Sequence, residues 1–282
     1  MALQIDRLGM VIEKVPFTYD EETVILYALG IGFGSSDAEL PFVHEKDLKV
    51  FPTFAVAPFM PIFMREFVSQ AGIDLKHLLH GEHRMVLHKP IPLHGTLFSD
   101  FVWEAVYDKG DTGAVIQVAS VTRDGDGETL FENRALFLDR SAGHFGGDRG
   151  PKAPRQAPAT VGKRLFRKTA ATAPQQAALY RLSGDKNPLH IEPGFARHCG
   201  FKRPILHGLC TFGIACRAVL ATVCGNEPTR LKRFDARFVD VVYPGDTLTT
   251  EGWASDTPGT FCLQTTNQNG EKVLDGAHVQ VF

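Results

Sequence analysis

Apolar and polar positions alternate with period two over several short runs, Ala114–Val121 and Phe261–Thr266 among them, rich in valine, threonine and phenylalanine. Such runs predict half-buried strands. Hairpin signals at Asp124–Gly127 and Asn269-Gly270 lie beside them, so the strands should be antiparallel. Two segments carry a helical pattern instead. One is opened by Asp20, Glu21 and Glu22 and closes on Ile25–Gly30; the other runs over Gln175–Leu182. Two longer apolar segments follow, Phe54–Val68 and Leu206–Val223. The second is apolar on nearly every face and must therefore be surrounded by other structure. Pro58 and Pro61 should interrupt the first, since neither offers an N–H to the preceding turn.

The order of these elements repeats. Tyr27 and Leu29 at the end of the first helix match Tyr180 and Leu182, and Pro92–Leu97 matches Tyr243–Leu248, each a turn leading into a strand. Tyr27 lies 68 positions before Gly95, and Tyr180 lies 65 before Gly245, a spacing that implies a duplicated unit. Between the copies, residues 141–160 hold four glycines and three prolines with few apolar groups, the composition of a linker. The expected division is a first half over residues 1–145, a linker over 146–160 and a second half over 161–282. A curved antiparallel sheet wrapped around one buried helix, made twice, is an α+β tandem hot-dog arrangement, with ligand sites where the units meet.

Composition narrows the partners. A formal charge of -2 with 22% charged residues leaves no basic excess to attract nucleic acid or a membrane surface. Five cysteines without a C-x-x-C pair suggest neither a disulfide framework nor a zinc site. Charges at Asp6 and Arg7 spoil a signal-peptide core, and the final Gln280-Val281-Phe282 is not S-K-L. The expectation is a cytoplasmic chain, with a peroxisomal one as the other option.

Chemistry concentrates in Leu182–Glu192, where Asp185, Asn187 and His190 fall within six positions around Pro188. Pro188 pushes Asn187 out of the helical region, so the segment reads as an irregular turn whose side chains can converge on one point. Turn building alone would also explain an Asp and an Asn at such a place. Nearby, Gly208 sits at the opening of the long buried helix, where an N–H without an internal partner meets the positive end of the helix dipole. Gly208 there serves either close approach of a ligand oxygen or tight helix packing. Together these groups suit chemistry beside a carbonyl: proton transfer through a shared water, with an N–H aimed at developing negative charge. Ser183 and Cys210 are the candidates for covalent acyl transfer, but neither has an evident partner base.

Tyr180–His190 followed by Ile205–Phe212 resembles the hydratase 2 motif of the MaoC-like family. The likeness extends over nearly the full length, through Tyr27–Gly30, Pro52–Phe54, Leu79–Glu82, Asp108–Gly110 and Tyr243–Gly245, and is to the (R)-specific 2-enoyl-CoA hydratase units of type 2 peroxisomal multifunctional enzymes. It implies a double hot-dog fold whose second half is catalytic and whose first half makes room for an acyl chain. In the repeat, Asp185, Asn187 and His190 fall opposite Gly32, Gly34 and Asp37, so the first half has no triad. The resemblance implies that Asp185 and His190 activate a water, Asn187 orients it and the Gly208 N–H holds the thioester oxygen. The implied reaction adds water to a trans-2-enoyl-CoA to give a (3R)-3-hydroxyacyl-CoA, with no metal or other cofactor. Ligand contacts carried over are His80, Gly81, Lys109 and Phe238; supporting groups are Tyr27, Glu45, Tyr180, Glu192 and His207. The text around Glu45, Val43–Asp47, departs from the family pattern. The stretch Phe54–Met64 is expected to line the acyl pocket. The cationic run Arg230, Lys232, Arg233 and Arg237 is either a solvated strand face or a meeting point for CoA phosphates. A homodimer is the expected assembly. The competing readings are a hot-dog thioesterase and a noncatalytic acyl-CoA-binding protein.

Overall fold

A computed structural model describes residues 3–34, 36–151 and 163–282. Most of the expected linker therefore lies outside the described residues. Among the described residues, ten strands make one antiparallel sheet: β1 (Val11–Tyr19), β2 (Leu78–Leu87), β3 (Gly95–Asp108), β4 (Ala114–Arg123), β5 (Thr129–Asp139), β6 (Arg164–Ala171), β7 (Leu231–Phe238), β8 (Thr247–Ala254), β9 (Thr260–Thr266) and β10 (Lys272–Val281). Their spatial order is β1-β3-β4-β5-β2-β7-β10-β9-β8-β6. Read from either edge inward, the sequence of elements is the same, which gives the sheet an internal two-fold through the β2–β7 junction. That junction pairs Glu82 with Arg237 through to Val86 with Arg233, and Arg84 with Asp235 at its centre.

The helices lie on one face. Helix α1 (Glu21–Gly30) starts at Asp20, whose carboxylate accepts from the Thr23 N–H at 2.9 Å and hydroxyl at 2.6 Å, satisfying donors that the helix itself leaves open. The segment expected as one interrupted helix over Phe54–Val68 is broken into a 3-10 turn (Pro52–Val56), α2 (Phe59–Ile62), a π turn (Phe63–Phe67) and α3 (Val68–Ala71). Pro58 and Pro61 supply the cause, since each removes an N–H and crowds the turn before it. Helices α4 (Gln176–Tyr180) and α5 (Pro193–His198) flank the motif turn, and α6 (Gly208–Thr222) buries eleven of its fifteen residues.

The two halves share one apolar core. The Gly30 backbone lies against Tyr180, where an added Cβ would sit 3.3 Å from the Tyr180 Cα. Gln176 Nε2 donates to the Gly30 carbonyl at 2.6 Å. On α6, a Cβ at Gly213 would come 2.6 Å from Ile31 Cγ2, and Arg217 donates to the Ile31 carbonyl at 3.0 Å and pairs with Glu39. The face of the sheet away from the helices carries charge pairs across strands, Arg134 with Glu104 at 2.7 Å and Arg123 with Asp100 at 2.6 Å. No helix among the described residues is long and apolar enough to cross a membrane.

Candidate active site

The motif turn begins where α4 tightens into a 3-10 turn over Arg181–Ser183 and stops at Gly184, whose φ of +125° suits only glycine. A Cβ there would also press on Pro61 Cγ at 3.0 Å and on the Ala57 carbonyl at 3.3 Å. The turn thus leans on the broken helix of the first half. Asn187 then caps the 3-10 turn Pro188–His190, its Oδ1 accepting from the Leu189 N–H at 3.0 Å. With that oxygen committed, the amide Nδ2 is the group Asn187 can present to a ligand. Asp185 Oδ1 accepts from the Asn187 N–H at 3.1 Å, and its Oδ2 lies 3.9 Å from His190 Nε2. All three side chains are buried.

Backbone carbonyls fix both nearby imidazoles. His190 Nδ1 donates to the Ile205 carbonyl at 2.9 Å, and His207 Nε2 donates to the Asp185 carbonyl at 3.1 Å. A carbonyl can only accept, so His190 keeps its Nε2 lone pair toward Asp185. Burial lowers the pKa of His190 against the opposing pull of Asp185, and burial with the neighbouring His190 pushes His207 well below its ordinary value. Both rings are therefore neutral at pH 7. They stack at 3.7 Å with 29° between their planes.

Asp185, His190 and His207 each offer a ligand atom within 4.8 Å of the others. The arrangement does not suit a metal. Lone pairs of stacked rings run in near-parallel planes and cannot both meet one ion at about 2.0–2.1 Å.

Asp185, Asn187, His190 and Gly208 line one cavity of about 400 Å³, with Met60, Phe63 and Met64 from the broken helix opposite them. His80, Gly81 and Phe238 join the same lining. His80 stacks on Phe137 at 4.4 Å, and burial holds its imidazole well below the ordinary pKa. Gly208 is the first residue of α6 after His207, so its N–H lacks a carbonyl four residues back within the helix. A Cβ on Gly208 would meet Phe238 at 3.1 Å, so glycine also permits tight packing here. Tyr27 and Tyr180 are buried with rings 6.0 Å apart; Tyr27 donates to Thr53 Oγ1 at 2.8 Å and Tyr180 packs on His207 at 4.9 Å.

Other expected residues fall elsewhere. Glu45 is exposed on the turn over Val43–Asp47, and Glu192 is exposed before α5; neither lines the cavity. Glu39 of the first half, half-buried, turns instead toward Arg217 of the second. Lys109 lines a separate groove of about 710 Å³ on the outer sheet face, with Arg84, Arg233 and Arg237. Gly81, Phe137 and Leu138 line both groove and cavity. Gly81 sits at a register shift between His80 and Glu82. From Phe54–Met64, Met60, Phe63 and Met64 reach the cavity, but Phe54 packs into an aromatic group with Phe17, Tyr19 and Tyr27. Ser183 Oγ is buried without a hydrogen-bond partner, and burial pushes the Cys210 thiol up; neither is an activated nucleophile. The Ile205 carbonyl, which sets the His190 tautomer, carries no signal in the sequence.

Two family models match, the MFE-2 hydratase 2 N-terminal domain over residues 17–141 and the MaoC like domain over residues 156–275. The chain is 36% identical over 269 residues to a probable enoyl-CoA hydratase 2 of Dictyostelium discoideum, covering 93% of this chain and 91% of that one. It belongs to the MaoC-like hydratase 2 family. Among solved structures, a MaoC-like dehydratase from Phytophthora capsici superposes with a TM-score of 0.86 at 29% identity, over 99% of this chain and 98% of that one. The full-length peroxisomal multifunctional enzyme type 2 of Drosophila melanogaster gives 0.82 at 35% identity, over 96% of this chain; the chain spans 48% of that longer protein. The tandem hot-dog architecture is that of this hydratase 2 family.

Proposed function

We propose that this chain is a hydro-lyase that adds water reversibly across the double bond of a trans-2-enoyl-CoA, giving a (3R)-3-hydroxyacyl-CoA. The observation that carries the reading is the placement of Asp185 Oδ2 and His190 Nε2 3.9 Å apart on the wall of a cavity that α6 opens onto. That gap is too wide for a direct hydrogen bond. A water about 2.8 Å from each atom would see them roughly 90° apart, a comfortable angle for two bonds. The water donates one hydrogen to the His190 lone pair and the other to the Asp185 carboxylate, while Asn187 Nδ2 orients its oxygen. Its oxygen bonds to C3 of the substrate, the π pair moves onto C2 and the thioester oxygen, and the proton released returns to C2. The Gly208 N–H and the positive end of α6 stabilise the enolate oxygen during the transfer.

The first half supplies the acyl wall through Met60, Phe63 and Met64, and stands clear of the proton chemistry. The outer groove takes the nucleotide end of CoA. Four cationic side chains line it against two carboxylates, and the pantetheine arm would run from it past Gly81, which lines both groove and cavity. We expect a homodimer, which light scattering distinguishes from a monomer. For location we keep the expectation of a cytoplasmic chain, although the Drosophila relative is peroxisomal by name; imaging of a tagged chain decides.

The test is incubation of purified protein with trans-2-decenoyl-CoA, following loss of the conjugated chromophore and the handedness of the product. Consumption with an R product is expected. An S product or no consumption overturns the reading, and release of free thiol would replace it with thioester hydrolysis.

A further inference from the structure

The internal two-fold relates more than strands. It exchanges Arg84 with Asp235 at the centre of the β2–β7 junction, so corresponding residues there stand 151 positions apart. Residues 238–242 line the candidate active cavity, and their counterparts 87–91 line a second cavity of about 350 Å³ on the opposite side of the junction. The correspondence continues at His80 and Leu231, one in each lining. The second cavity is therefore the symmetry mate of the first. It has kept nearly the same volume and lost the polar machinery: the motif counterparts Gly32, Gly34 and Asp37 are absent from its lining.

It has apolar walls, Leu87, Ile91 and Leu231, and three basic groups, Lys49, His88 and Lys89, against a single acid, Glu227. Each basic group is held by a glutamate at the surface: Lys49 by Glu227 at 2.8 Å, His88 by Glu132 at 2.9 Å and Lys89 by Glu128 at 2.6 Å. Exposed pairs of this kind contribute little to stability, so another carboxylate can take the glutamate's place. The cavity shares no lining residue with the outer cationic groove, and so offers no continuation for a nucleotide.

We propose that this mate cavity is a second, noncatalytic binding site for a free medium-chain fatty acid, the chain between Leu87, Ile91 and Leu231 and the carboxylate among Lys49, His88 and Lys89. The proposal rests on reading the first cavity as an acyl site, because symmetry with that site is what suits this one to an aliphatic chain. Occupancy would bridge the halves, since Lys49 and Leu87 come from one and Leu231 from the other.

Crystals of the wild-type protein soaked in 10-bromodecanoate test it directly. An anomalous bromine peak between Leu87, Ile91 and Leu231 is expected. A peak confined to the cavity of Asp185 and His190, or no peak, overturns the proposal. In solution, calorimetric titration of decanoate into Ile91→Trp, which fills the mate cavity, should lose one class of sites, while hydration of trans-2-decenoyl-CoA by the same variant stays at the wild-type rate. Unchanged decanoate binding by a folded Ile91→Trp also overturns it. Failure of hydration in the wild-type protein would instead strike the proposed reaction, so the two failures are told apart.

Discussion

The turn over 184–190 and its counterpart around Gly32 hold matching places in the two halves and have opposite surroundings. In the second half, Asp185 opens onto a cavity and is steadied by the Asn187 N–H. In the first, the matching Gly32 has φ +86°, and the place its Cβ would take lies 2.9 Å from Arg217 Nη1. Arg217 is itself fixed by Glu39, by the Ile31 carbonyl at 3.0 Å and by the Phe33 ring at 4.5 Å. One copy thus keeps its turn open for a ligand, whereas the other closes it with a guanidinium from the opposite half. The lesson is that the place an acid side chain would need in the first half is taken by a structural tie between the halves.

Asp185→Asn should have the largest effect on this contrast. It removes the carboxylate with little change of shape, and hydration should fall about 10²- to 10⁴-fold while the circular dichroism spectrum and melting temperature stay near wild type. Equal loss of fold and activity would mean that the turn is structural in both halves.

Next comes acid sensitivity, in which the halves differ at one corresponding position. His83 on β2 corresponds to Phe234 on β7, and burial lowers its pKa from 6.5 to about 4. The folded value lies below the unfolded one, so the stability it contributes is full above about pH 6.5 and is lost as pH falls toward 4. A shift of that size amounts to about 3 kcal/mol. Urea denaturation at pH 7 and pH 4.5 should show the loss, and His83→Phe, which makes the halves alike at this position, should reduce it, leaving the share of the other buried histidines. His190 shifts in the same direction, so hydration should also decline on acidification as its Nε2 takes a proton.

Gly208→Ala is expected to cost about 1–3 kcal/mol through overpacking against Phe238, seen as a lower denaturation midpoint together with a reduced hydration rate. Gly32→Asp sharpens the comparison from the other side. Restoring the acid should create no second active site, and the positive φ with displacement of Arg217 should destabilise by about 1 kcal/mol or somewhat more.

Much of this could be read from the chain because the informative residues are close together in it. Asp185, Asn187, Pro188 and His190 occupy one short turn, and both hairpin turns and the broken helix follow from local glycines and prolines. What stayed hidden depends on distant partners. The Ile205 carbonyl reaches His190 from 15 positions away and Arg217 reaches Glu39 from 178, and no local pattern encodes either. Likewise, sequence alone does not tell which way an acid on a loop points: Glu45 and Glu192, supporting groups by the family resemblance, stand in solvent. Phe54 shows the same limit in reverse: an aromatic suited to a pocket wall packs into the core instead. The strand order, too, depends on the β2–β7 pairing, which joins segments about 150 positions apart.

That pairing limits how far the protein can be trimmed. Either half made alone would present β2 or β7 as a bare edge, a row of unsatisfied backbone donors and acceptors ready to recruit another strand. A fragment holding the whole motif should therefore self-associate or precipitate, and mixing the separately made fragments should rescue both by restoring the missing neighbour.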